Sequence, residues 1–173
     1  MILGMSTATF TLLHVLVSLA GIASGFVVLY GFFAGKRLDG WTAVFLITTA
    51  LTSISGFGFP FDHLLPSHKV AIISLVVLAA VIPARYVFHM EGAWRSVYVI
   101  GSSLALYFNV FVLVVQSFMK VPALKALAPT QSEAPFLVVQ LAVLLAFVWL
   151  TTLAVKRFRI GTPRAASSAA SLS

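Results

Sequence analysis

The chain has 173 residues, 61% of them hydrophobic and 9% charged, with a mean hydropathy of +1.08 and a formal net charge of +7. Soluble domains run near a quarter charged, so this composition points to a lipid bilayer as the solvent. The absence of cysteine excludes disulfides, thiolate metal sites and cysteine nucleophiles. The positive charges flank apolar runs instead of forming a basic stripe, which argues against nucleic acid as a partner.

A spanning helix needs about 20 predominantly apolar residues, and five segments meet that condition. The stretch "MILGMSTATF" has no basic side chain ahead of the first apolar run, so no cleavable signal peptide is expected. The first predicted helix covers about 9–34 and is stopped by Gly35, Lys36 and Arg37. It contains His14, with Thr11 and Ser18 on the same face at i−3 and i+4. An ionisable residue inside a span is a functional-site candidate by default. The plainer and favoured reading is a neutral imidazole hydrogen-bonded to a neighbouring helix. The same helix reads "SLAGIASG", with Gly21 and Gly25 at G-x-x-x-G spacing. Small residues let backbones approach, so these glycines predict packing on the second helix, with homodimerisation as the alternative.

The second predicted helix covers about 41–60, with Asp39 placed to cap it and Pro60 to end it. Ser53, Ser55 and Gly56 give it a small-residue face for the first helix. The loop that follows, "GFPFDHLLPSHKV", gathers Asp62, His63, His68 and Lys69. Imidazole and carboxylate suit Zn, Cu, Fe or Ni, so His14, Asp62, His63 and His68 form a candidate metal set. His14 with His63 or His68 is also the one pair placed to ligate haem b, because a helix of about 20 residues separates His14 from His89 by roughly 25–30 Å. The spacing matches no specific ligand motif, so metal and haem are secondary readings.

The third predicted helix covers about 68–89 and carries Pro83, a kink signal. Near its end Arg85 joins Trp94, Arg95 and Tyr98 in what reads as a belt of aromatic and basic interface anchors. The fourth helix covers about 95–119, and its central Asn109 must face another helix or a cavity, since an unpaired amide in lipid costs several kcal/mol. In the next loop Pro122 suits a first helical position, and Val121, Leu124 and Leu127 share one face of an interfacial turn. The fifth helix covers about 133–157, with Thr130 and Glu133 at capping-box spacing. The remainder, 159–173, is small and polar and reads as a disordered tail.

Five spans put the two ends of the chain on opposite sides. One side receives Lys36, Arg37, Arg85, Arg95, Lys156, Arg157, Arg159 and Arg164, and the other Lys69, Lys120 and Lys125, eight against three. The expected orientation is therefore N-terminus outside and C-terminus in the cytoplasm. It brings His14, Ser18, Gln116 and Gln140 toward one polar layer near the outer face, the expected site for a neutral or weakly polar ligand. No nucleophile elbow, P-loop, dinucleotide fingerprint or H-E-x-x-H is present, and no carboxylate lies inside a span. Enzymatic and ion-coupled readings are thereby disfavoured.

Three stretches, "LHVLVSLAGIASG", "GAWRSVYV" and "FVLVVQSFMKVPALKALAPTQSEAPF", resemble a group of small polytopic proteins of the bacterial inner membrane. The resemblance implies that location and no particular activity or cofactor. The combined expectation is an all-α, five-span, non-enzymatic membrane protein, an accessory or assembly component or a binder of a small ligand. A haem or metal redox protein and a small dimeric channel or transporter are the alternatives. The expected partners are the bilayer itself and a second membrane protein or a second copy.

Overall fold

The computed structural model describes residues 4–59 and 66–159. These form α1 (Thr7–Phe33), α2 (Asp39–Ser55) continued by a 3-10 turn at Gly56–Gly58, α3 (Pro66–Tyr86), α4 (Ala93–Lys120), the short α5 (Pro122–Leu127) and α6 (Ala134–Arg157). There is no strand among the described residues. Five helices are long and apolar enough to cross a membrane. The protein is thus a multi-pass helical bundle.

Local chemistry explains where each helix starts and stops. The Ser6 side chain accepts from Thr9 N at 3.1 Å, so α1 begins ahead of the apolar run. Asp39 is not the cap of α2 but its first residue, and its carboxylate is turned to Arg85 instead. Gly56-Phe57-Gly58 tightens into the 3-10 turn and ends α2 before Pro60, which lies outside the described residues. At the end of α3 the amides of Val87 and Phe88 both reach Pro83 O at 2.9 Å, and His89 and Met90 take φ of 49° and 61°. These two left-handed residues, followed by Gly92 at φ 50°, turn the chain directly into α4. Glu133 occupies the N-cap position of α6 and folds its carboxylate back onto Thr130 Oγ1 (2.8 Å) and the amides of Thr130 and Ser132 (3.1 Å each). Desolvation acts to raise its pKa, but these bonds, with one from its own amide, outweigh it and hold the carboxyl below its ordinary value.

The helix α4 is the axis of the bundle, packed on α1, α3, α5 and α6, while α1 and α2 pair along one side and α2 closes on α3. Lipid tails are as apolar as leucine, so these contacts are held by close packing and hydrogen bonds more than by exclusion of water. The close approaches fall at glycines. A β-carbon at Gly25 would lie 2.6 Å from Leu106 and 2.9 Å from Phe45, and one at Gly101 would lie 2.3 Å from Val81 Cγ2. Gly21 faces Thr48 and Thr49 of α2. Gly56 has nothing within 4 Å of such a carbon, so it is a turn residue and not a packing one. The G-x-x-x-G pair therefore serves contacts inside the chain, and Gly101, which the sequence reading passed over, serves the α3–α4 seam.

Candidate functional site

Polar side chains gather in three places. The first is the seam between α1 and α2, at the end of the bundle that carries His14. His14 Nδ1 and Ser55 Oγ are hydrogen-bonded at 2.8 Å, and the imidazole stands edge-on to Phe59 with centroids 5.2 Å apart. Ser18 Oγ donates to His14 O at 2.7 Å and lies 3.3 Å from Thr52 Oγ1. One turn further in, Asn109 Nδ2 donates to Thr49 Oγ1 at 3.0 Å, so the mid-span amide faces α2 as its position requires.

The residues expected in one layer, His14, Ser18, Gln116 and Gln140, do not share one hydrogen-bond network among the described residues. His14 and Ser18 bond across α1–α2. Gln140 Nε2 donates instead to Phe111 O at 3.2 Å, across α4–α6, and its Oε1 is buried without a partner. Gln116 is half-buried on α4 and makes no hydrogen bond among the described residues. Of the candidate metal set, Asp62 and His63 lie outside the described residues. His68 is buried and stacks on Phe57, with centroids 5.3 Å apart and planes at 21°. Among the described residues no three metal-ligating side chains come together. With Nδ1 of His14 engaged by Ser55, Nε2 is the ring nitrogen left for a further group, as donor or acceptor according to the tautomer.

The second place is the opposite end. Arg85 is an anchor of a different kind from the expected lipid-facing one, because its side chain is only 2% exposed. It forms an ion pair with Asp39, itself 75% exposed, and its guanidinium lies 5.0 Å from the centroid of the Tyr98 ring and 5.6 Å from that of Tyr86. Tyr98 is buried too, with its hydroxyl 3.2 Å from Thr42 Oγ1 and Phe32 edge-on at 5.4 Å. Arg85, Asp39 and Tyr98 thus tie α3, α2 and α4 together. Arg95 donates to the Phe158 carbonyl and ties the start of α4 to the end of α6. Trp94 stacks on Phe88 at 4.0 Å and remains partly exposed at the surface.

The third place was not expected. A groove of about 470 Å³ runs between α4 and α6 on the lipid-facing side of the bundle. Its walls include Leu104, Tyr107, Phe147 and Val148; Ser103 and Thr151 line it midway and Lys156 ends it. The size is that of a small-molecule site. Its origin is local: Phe147 and Tyr107 meet at 5.7 Å and hold the helices apart, while small Ser103 leaves the space beside them unfilled. The Ser103 hydroxyl is buried and has no hydrogen-bond partner. Ser102 and Ser74 share that state, whereas Ser24 and Thr152 donate to carbonyls four residues back, at Ala20 and Val148. Comparison with family models, curated proteins and solved structures finds no match for the chain, so the reading of this groove rests on its own chemistry.

Proposed function

We propose that this chain is a non-enzymatic protein of the bacterial inner membrane that binds a lipophilic small molecule taken sideways from the bilayer into the α4–α6 groove. The observation that carries the reading is the groove itself, apolar along its walls with Lys156 at one end. Pockets that bind small molecules have this form, mostly apolar with a few placed polar groups.

The bacterial inner membrane is supported by the resemblance noted above, and the orientation by the lysine and arginine distribution. In that orientation the Arg85 end is cytoplasmic, the His14 end is outside, and the groove opens to the cytoplasmic leaflet. This reading moves the ligand site from the expected outer layer to the inner half, where the groove lies; His14 and Ser18 bond to Ser55 and Thr52 across α1–α2.

The test is the small-molecule content of the purified protein. Protein taken from membranes in mild detergent is expected to carry a lipophile near one per chain. Thr151→Phe and Leu104→Trp, which fill the groove from either wall, are expected to lose it while the circular dichroism spectrum stays unchanged. Equal content in all three proteins would overturn the reading.

A further inference from the structure

The order of chemical groups along the groove narrows what it holds. The helices α4 and α6 run antiparallel, and the Tyr107–Phe147 contact fixes their register. Four residues further toward the Arg85 end in each helix, Ser103 and Thr151 stand level. From Thr151 to Lys156 the axis advances about 7–8 Å. In the other direction the walls are apolar as far as Leu144. The lined stretch of α6, residues 144–156, is about 18 Å long, against about 15 Å for the hydrocarbon of one leaflet.

From the membrane surface inward, the groove thus presents an ammonium and then about 18 Å of mostly apolar wall, close to the depth of a leaflet. A glycerophospholipid presents phosphate and then acyl chain in the same order. The Lys156 stem is long enough to hold its ammonium at the headgroup level while its methylenes stay in lipid. A quinone ring or a sterol would fill the groove but leave Lys156 without an anion. A free phosphate would meet Lys156 but leave the apolar walls empty.

We propose that the groove holds one anionic glycerolipid, with its phosphate at Lys156 and one acyl chain between Tyr107, Phe147 and Val148. This rests on the reading that the groove binds a lipophile. It adds the charge and the polar group of that lipophile.

Native mass spectrometry of the detergent-solubilised protein, titrated with defined lipids, separates the two claims. Phosphatidylglycerol is expected to be retained about fivefold more than phosphatidylcholine of the same chains, the effect of about 1 kcal/mol from one lysine near the surface. Lys156→Gln is expected to level the two lipids. Inorganic phosphate is expected not to compete at millimolar concentration. Equal retention of both headgroups, or a preference that survives Lys156→Gln, would overturn the anionic assignment. If Thr151→Phe also leaves all retention unchanged, the groove is not the binding site and the underlying reading falls with it.

Discussion

Arg85 shows how a charge is kept inside a membrane protein. Its guanidinium has an aromatic face on Tyr98, a sulfur acceptor in Met90 at 3.8 Å and one carboxylate, Asp39. The asymmetry of the pair sets the energetics. Removing Asp39 leaves a buried cation without its counter-ion, whereas removing Arg85 leaves a carboxylate that water already reaches. Asp39→Ala is therefore expected to cost about 2–3 kcal/mol, and Arg85→Leu only about 1 kcal/mol, the ring contact and the packing. Detergent unfolding followed by circular dichroism measures both. The reverse order would mean that the aromatic rings, and not the ion pair, hold Arg85. In the sequence Arg85 is one of several cations near segment ends, and nothing local separates a snorkelling arginine from a buried one. The difference depends on Asp39 and Tyr98, which come from two other helices. His14 was more legible: its in-span position requires a partner, and Ser55 supplies it.

At the scale of the helices, the existence of all five spans was readable because a 20-residue apolar run is a local property. Their ends were less so. Asp39 has the chemistry of a cap but is recruited by Arg85, and Thr130–Glu133 has capping-box spacing but closes the preceding turn instead. The groove had no signal of its own, since α6 is apolar around its circumference and a gap between two helices leaves no periodicity. The glycines mark the contacts more sharply than any apolar pattern. Gly101→Ala is expected to destabilise the bundle by about 1–3 kcal/mol through the clash with Val81. Gly56→Ala, with open space around it, is expected to leave stability within about 1 kcal/mol or raise it. Parallel unfolding curves in one detergent read the contrast, and equal effects would show that α3 and α4 do not approach as closely as described.

For the whole molecule, the bundle is built asymmetrically. The axis α4 is enclosed by α1, α3 and α6, yet α6 itself is covered on one side only, with Leu141, Leu145 and Trp149 turned outward. That peripheral placement opens the groove sideways to lipid. Its membership in one leaflet follows from the proposed orientation, which the cysteine-free sequence makes simple to test. Single cysteines at Ser6 and Lys125 are expected to react with an impermeant maleimide in intact cells with a permeabilised outer envelope, and single cysteines at Lys36 and Glu91 are expected to react only after the inner membrane is opened. Labelling of Lys36 together with Ser6 in sealed membranes would remove the alternation on which the orientation rests.

The α4–α6 groove as a selective site is tested most directly by photo-crosslinking in native membranes. A photoreactive residue at Leu104, on the groove wall, is compared with one at Val138, which faces outward from α6. A selective groove yields one dominant adduct of lipid mass at position 104, lost when Thr151→Phe is added, while position 138 yields the mixture of the surrounding bilayer. The same mixture of adducts at both positions would show that bulk lipid fills the space without selection.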